Sequence, residues 1–440
     1  MAEATLLTIL ERVPDRFGAM VIQEKTETAV TRLSENAIQA NTMVSQHEIW
    51  LRVFCDDRVG LGFGTPQTDH EIGQLVEEAV QSWENNKQTS PLKLVGDLPM
   101  QFSPVCDPFI ENQTPAERVR ALTRAVSVVR DHGMVYTGAY STEKITRSMA
   151  SSTGLQASSS VTMIDVSCTV AHSGGSTGWA RDFSSSAADI DVVSLAVTAG
   201  SKAMNGRKNK KVLKPGKYTV ILEPAAVGSM LLFLGFLSFG GGPFNRGTSF
   251  LSGKIGQKVM PEHISISDDS SDPRCCGWPF DYEGTPTQIV KLVEKGVARG
   301  VVHDVGTAAA AGTQSTGHAL TPGNSFGPYP RCLKMEAGET SIKDLIRSVG
   351  KSLLVTRLWY INYVNPMQTM ITGSTRDGTF WLENGAIRYA VQDMRFIESI
   401  LDAFNRSVLL SKERSYVRQF GSTLCVPWMV IPDFTFTETL

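Results

Sequence analysis

The sequence predicts an α/β (α+β) chain of two domains, an N-terminal α/β domain over residues 1–205 and a C-terminal domain over residues 206–440. The second is expected as a mixed, mainly antiparallel sheet around one buried helix. Three observations carry this reading. Alternating apolar and polar residues near the N-terminus give way to amphipathic helical stretches. A nearly pure apolar run from Pro224 to Phe239 is flanked by strand-like sequence. Between these regions lies the Gly- and Lys-rich stretch from Asn205 to Gly216, a natural boundary.

The elements follow in order. Ala4 to Val13 reads as a helix broken by Pro14 and Gly18. Ala19–Glu24, Thr28–Leu33, Glu48–Phe54 and Val59–Phe63 read as strands. Helices are expected over Ile72–Glu84 and over Pro115–Asp131, the latter opened by Thr114-Pro115. Short strands follow at Lys144–Met149, Leu155–Ala157 and Val161–Val170, and a helix over Ala187–Ala203 closes the domain. In the second domain, Tyr218–Leu222 leads into the apolar helix. Ile264–Ile266, Val301–Asp304, Leu353–Asn362, Thr369–Thr375 and Gly378–Glu383 read as strands. Asn384-Gly385 is the strongest hairpin signal, joining Thr379–Leu382 to Ile387–Val391. Pro286–Lys295, with Thr285 as its cap, and Met394–Phe404 read as helices.

Composition narrows the function classes. The net charge is −2 and charged residues make up 20 %, so nothing demands a polyanion or a membrane as partner. The first residues, MAEATLLTILERVPDRF, lack a basic stretch followed by an apolar core, so no signal peptide is evident. Seven cysteines without framework spacing fit a reducing compartment, and a cytoplasmic location is expected. The run Ala225–Phe239 is about five residues short of a ~20-residue membrane span and reads as a buried core helix.

After that helix comes GGGPFNRGTSFLSGKIGQKV, with Phe244-Asn245-Arg246 near its start. Leu213-Lys-Pro-Gly-Lys-Tyr-Thr-Val-Ile-Leu-Glu-Pro224 precedes it; Ser315-Thr-Gly-His-Ala319, Met335-Glu-Ala-Gly-Glu-Thr-Ser341 and the long segment Tyr363 to Gly385, containing Thr375-Arg376-Asp377-Gly378, follow. In order and spacing these segments resemble the TldD/TldE (PmbA) metallopeptidase family, in which a HExxxH helix leads into FNR. Aligned on FNR, the motif's place reads Phe233-Leu234-Gly235-Phe236-Leu237-Ser238, so Phe233, Leu234 and Ser238 stand where the histidines and glutamate belong. The family's late cysteine ligand, a few residues before a Val-Pro pair, falls at about Gln419, and Cys425 is too close to Val426-Pro427.

A catalytic zinc needs about three protein ligands, an open position for water, and a carboxylate base. On an ideal helix, positions i and i+5 lie about 140° apart, so a HExxxH helix must distort to aim both imidazoles at one ion. Here no histidine occurs between His172 and His263, and no Asp or Glu between Glu223 and Glu262, so no shift of alignment restores the motif. No catalytic or metal-binding residue is therefore expected in this chain, and no cofactor. The TRDG form and the missing HExxxH place it on the TldE side. The resemblance implies a non-catalytic subunit that pairs with a zinc-bearing, TldD-type HExxxH subunit, or forms a homodimer. The pair is expected to degrade or mature short unfolded peptides, including peptide natural products. Phe244, Asn245, Arg246, His318 and Arg376 are the candidates for a peptide groove or subunit interface. Peptides could add as a strand to a free sheet edge.

Other constellations in the sequence carry less. Cys275-Cys276, His263, His303 and His318 lack the spacing of a rebuilt metal site. Ser315 and His318 could serve an autonomous hydrolase, with Cys276 as a further candidate, if geometry joined a nucleophile to a base. Lys202 to Lys217 carries six Lys and one Arg, the substance of a gyrase-modulator or DNA-binding reading through Lys208, Lys210 and Lys211, but only Tyr218 is adjacent. A solvated connector is the better reading, and nucleic acid is not expected as a partner. Gly240–Gly247 follows a helix and lacks GKS/T, so it reads as a tight reversal, not a phosphate loop.

Overall fold

In the computed structural model, which describes residues 2–207 and 210–440, the N-terminal strands are much longer than their turn signals suggest. After α1 (Ala2–Glu11), β1 (Gly18–Ser34) and β2 (Ala37–Cys55) form one hairpin. It closes at Glu35-Asn36, both left-handed. The separate strands read at Ala19–Glu24 and Thr28–Leu33 are a single one. The polar residues Lys25 to Glu27 stay in the ladder because β2 pairs them on one side and β4 on the other. Next come β3 (Arg58–Gly64), α2 (Asp69–Asn85), α3 (Pro108–Glu111) and α4 (Pro115–Arg130). They are followed by β4 (Met134–Ser151), β5 (Gln156–His172), β6 (Thr177–Ser184) and α5 (Val192–Asn205). The short strands read between Lys144 and Val170 thus merge into β4 and β5, and β6 had no sequence signal. The six strands form one antiparallel sheet in the order β3-β2-β1-β4-β5-β6.

Alternation puts four helices on one face of this sheet: Val21, Leu51 and Ala150 meet α1 and α2, and Tyr136, Val166 and Cys168 meet α4 and α5. Capping boxes at Thr68/Glu71 and Thr114/Glu117 fix the starts of α2 and α4. The helix expected from Ala187 begins only at Val192, because the Asp191 side chain accepts from the Val193 and Ser194 amides. At the sheet's edge, Gly178 lets α5 approach: a Cβ there would lie 2.1 Å from the Ala199 carbonyl oxygen.

The second domain contains β7 (Gly216–Leu222), α6 (Pro224–Ser238), α7 (Gly241–Asn245), β8 (Ile266–Asp268), β9 (Val290–Glu294) and β10 (Val297–Ala298). It continues with α8 (Val305–Ala311), β11 (Cys332–Met335), α9 (Ile342–Ser348), β12 (Lys351–Asn365), β13 (Met370–Glu383) and β14 (Ala386–Ala390). It ends with β15 (Met394–Ser399), α10 (Ile400–Arg406), β16 (Leu409–Gln419) and β17 (Ser422–Thr439). β17 pairs with β11 and β16 near its start and with β7 and β15 near its end. The path β7-β12-β13-β15-β17 therefore returns on itself. A break in register between Ile431 and Phe434, with Asp433 left-handed, gives β17 the bend this closure needs.

Several sequence expectations fail here for tertiary reasons. Pro286–Lys295 is not a helix: Val290–Glu294 is strand β9, paired with β8 and β10, and the Thr285 amide donates to Asp281. Met394–Phe404 splits, because Met394 and Phe396 are buried at a spacing of two and Ser399 then caps α10. Val301–Asp304 contributes one bridge at Val302, while Asp304 caps α8. The loop expected at Gly240–Gly247 contains the short helix α7.

The domains meet through the segment Asp272–Glu283. Phe280 and Tyr282 pack on Met20, Ile22, Trp50 and Met149, on the sheet face opposite the helices. Two buried arginines capture this segment's backbone: Arg52 donates to the Tyr282 carbonyl and Arg147 to the Phe280 carbonyl. Arg274 reciprocates, donating to Asp182 and to the Phe183 carbonyl, each at 3.0 Å. Beside the clamp, burial and the neighbouring Asp281 push the Glu283 carboxyl up to about 7, although it accepts from the Val305 amide at 2.8 Å.

Two outcomes are expected. Gly178→Ala forces α5 off its strand and lowers stability by roughly 1–3 kcal/mol, read from the denaturant midpoint; an unchanged midpoint contradicts the close approach. Glu283→Gln tests the raised carboxyl. A folded-state pKa above the ordinary 4.5 means that this group's contribution is intact below about pH 4.5 and lost as pH rises through 7. The variant should match the parent's melting temperature at pH 4.5 and exceed it at pH 8; equal curves at both pH values would sink the assignment.

Candidate functional site

Helix α6 begins at Pro224, after Glu223, whose carboxylate meets Lys202 at 2.7 Å and accepts from Thr356 at 3.2 Å. Its side chains are buried nearly all round, Met230, Leu231, Leu232 and Leu234 completely. Each such side chain contributes on the order of 2 kcal/mol of burial free energy, so the helix is an internal strut.

At the three positions in question, each side chain is absorbed by packing. The Phe233 ring lies 5.1 Å from Tyr363, whose hydroxyl donates to the Phe233 carbonyl at 3.3 Å. Leu234 is fully buried in the core around α6. Ser238 is buried with no partner for its hydroxyl. Gln419 comes to the same helix one turn earlier: its amide donates to Ser229 Oγ at 2.8 Å, and Ser229 donates to the Ala225 carbonyl. Cys425 alternates to the other face of β17, away from the Leu424 and Val426 side chains that meet α6, and lies beside Tyr416 and Asp272. A phenyl ring, an isobutyl group, a hydroxyl and a carboxamide are not a zinc donor set, so these residues do not fit the metal that the helix's position implies. Among the described residues, no three His, Cys, Asp or Glu side chains converge in a way that could hold a metal ion.

The remaining candidates separate into different surroundings. Phe244 packs against the core of α6, and the Asn245 amide donates to the Thr307 carbonyl at 2.9 Å. Arg246 lines an open groove of about 520 Å³ with Phe236, Pro243, Phe326 and Met367. Arg376 lies over Trp359 at 5.0 Å and lines a polar pocket with Lys210 and Asp393. Lys211 sits 4.0 Å over the Tyr389 ring, and Lys208 lies outside the described residues.

His318 belongs to a third cavity, of about 240 Å³, between the first sheet and the second domain. Both its ring nitrogens are engaged, with Asp268 at 3.0 Å and Thr316 at 2.9 Å. Ser315 donates instead to the His303 carbonyl, so the structure forms no Ser315–His318 nucleophile and base. His303 meets Thr307, and His263 meets Ser407. Burial pushes the Cys276 thiol up to about 12, and the contact with Cys332, followed by burial, raises that of Cys275, so neither is a ready thiolate.

Two features had no signal in the sequence. In this interdomain cavity, Arg147 sits 3.7 Å from the Tyr282 ring centre and donates twice to Glu24. At the rim of α6, Phe236 stacks on Tyr329 at 4.7 Å and meets Phe326 at 5.7 Å. The first depends on strand register and the second on how the segment before β11 folds over α6, neither of which the sequence alone reveals.

Comparison with known proteins sets these observations in a family. Residues 109–207 match the PmbA/TldA metallopeptidase central domain and residues 215–438 its C-terminal domain, together well over half of the chain. A metalloprotease PmbA homologue of Haemophilus influenzae is 29 % identical over 231 residues, 51 % of this chain and 48 % of that one. The chain spans about half the length of the curated relatives it matches. The fold of TldE from Thermococcus kodakarensis superposes with a TM-score of 0.87 at 20 % identity, covering 99 % of both chains. A Thermotoga maritima protein proposed as a modulator of a DNA gyrase superposes at 0.85 with 19 % identity, again over 99 % of both. With both family domains present in order and the whole fold shared, the chain belongs to the PmbA/TldD/TldE metallopeptidase family.

Proposed function

We propose that this chain is a non-catalytic, TldE-type subunit that pairs with a zinc-bearing HExxxH subunit and helps it handle short unfolded peptides. The observation that carries this reading is the helix α6 itself. It keeps its place and burial, yet presents Phe233, Leu234 and Ser238, with Gln419 bonded to Ser229 beside them. Zinc chemistry belongs to the partner in this reading; the present chain supplies walls and main-chain contacts.

The edge of β12 supports the peptide role. β7 pairs with β12 only from Leu353 to Val355, because Pro224 then turns the chain into α6. Among the described residues, no strand covers that side of β12 from Arg357 to Asn365. Trp359, Tyr360, Tyr363 and Val364 are exposed there, and Tyr363 touches α6. An extended peptide could add to this edge through backbone hydrogen bonds, which tolerate any sequence. That suits processing of proteolytic debris or of natural-product precursors in the cytoplasm.

The hydrolase alternative loses its support with the Ser315–His318 pair. The gyrase-modulator reading rests on the name given to the Thermotoga protein and on Lys210 and Lys211. Lys211 is engaged over Tyr389, and Lys210 sits near the half-buried Asp393.

Light scattering on a size-exclusion column tests the partnership. Mixed with a HExxxH-bearing homologue from the same organism, the chain should form a species with the mass of one copy of each. The mixture should cleave unfolded peptide while this chain alone does not. A homodimer that ignores the homologue, or zinc-dependent cleavage by the chain alone, would refute the proposal.

A further inference from the structure

One of the guanidiniums in the interdomain cavity has no partner. Three guanidiniums line it: Arg147, Arg331 and Arg418. Arg147 is matched by Glu24, with both donors near 3 Å. Arg418 is matched by Glu143 at 3.2 Å and lies 3.6 Å from Asp165. The third carboxylate on the wall, Asp281, is saturated by the backbone amides of Glu283, Thr285 and Ala319. Arg331 is left over. Among the described residues its guanidinium makes no ion pair and no hydrogen bond, although the residue is half-buried.

A second, independent gap lies two residues away. Tyr329 is buried, 5 % exposed, and lines the same cavity. Its hydroxyl makes no hydrogen bond. The Ser422 hydroxyl is close enough to influence it but is not placed to bond it. An unpaired cation and an unpaired donor on one wall are each costly when withdrawn from water, and one monoanion satisfies both. A carboxylate fits best, because a guanidinium presents its donors as a planar fork of matching geometry.

We propose that Arg331 and Tyr329 form a carboxylate subsite in this cavity, and that its occupant is the C-terminal carboxylate of a short peptide. The site is separate from the groove beside Arg246 and from the pocket beside Arg376. The identity of the occupant rests on the peptide-handling role proposed above; the unpaired guanidinium does not. With a cavity of about 240 Å³, only the last residue or so of a peptide is accommodated.

Calorimetric titration of the full-length chain decides the matter. The probes are N-acetyl-trialanine as the free acid, the same peptide as its C-terminal amide, and inorganic phosphate. The free acid should bind at least tenfold more tightly than the amide and more tightly than phosphate. Arg331→Gln should abolish that preference without lowering the melting temperature of the unliganded protein, since it breaks no existing pair. Tyr329→Phe should weaken the acid several-fold, and Arg246→Gln should leave it unchanged. Equal binding of acid and amide would overturn the subsite and spare the peptide-handling role. Phosphate binding as tightly as the acid overturns the peptide terminus as occupant. Failure of both peptides to bind, or acid binding untouched by Arg331→Gln, overturns the proposal outright, whatever the co-elution experiment shows.

Discussion

The relation between the two domains depends on buried arginines that hold backbone carbonyls. Arg52 and Arg147 leave the first sheet to bond the carbonyls of Tyr282 and Phe280, and Arg274 returns the contact from the other side. A buried guanidinium is expensive unless its donors are used, and a carbonyl inside an interface is expensive unless it accepts. Each group therefore requires the other, and the fit tolerates little sliding between domains. Aromatic faces extend the same interaction: Arg147 is flanked by Tyr282 and Trp278. The interdomain cavity is thereby held open with fixed walls, which is a condition for selective binding.

Much of the fold was legible because it depends on local pattern. The apolar run at Pro224–Phe239, the Thr114-Pro115 helix start and the Asn384-Gly385 hairpin all appear where the sequence places them. The misreadings share one cause. Lys25–Glu27 look like a break, and Pro286–Lys295 like a helix, until neighbouring strands supply their hydrogen bonds. Strand length and the closure of β17 onto β7 are set by partners distant in sequence, and period-two patterns are too short to announce them. The departure from HExxxH over Phe233–Ser238 was legible because it consists of residue identities at fixed spacing. The matched and unmatched charges of the interdomain cavity were not, since Glu24, Glu143, Arg147, Arg331 and Arg418 come together only through register.

The candidates inferred from motif order fared unevenly for a related reason. Phe244, Asn245 and Arg246 are neighbours in sequence, yet Phe244 serves the core, Asn245 ties α7 to α8, and only Arg246 faces a groove. His318 is spent on Asp268 and Thr316, which fix the Thr316–Ala319 turn beneath the cavity. A motif can therefore mark a place in the fold correctly while the chemistry there passes to residues outside it.

In the proposed reading, helix α6 is a scaffold that keeps its packing without metal ligands. Buried imidazoles and a buried carboxylate are tolerable only around a metal or in a complete hydrogen-bond network; otherwise their desolvation is unfavourable by several kcal/mol. Phe233 and Leu234 remove that liability and add apolar contacts with Tyr363 and the surrounding core. Gln419 needs no metal because Ser229 accepts from its amide, and the Ser229 hydroxyl donates in turn to the Ala225 carbonyl. Only Ser238 keeps an unanswered hydroxyl, a small residual cost beside the apolar burial of its neighbours. A helix without an i, i+5 ligand pair needs none of the distortion that such a pair imposes, and its side chains here are committed to packing. Whatever selects such a chain must then act on its surfaces: the uncovered edge of β12, the groove beside Arg246, and the unmatched charge between the domains.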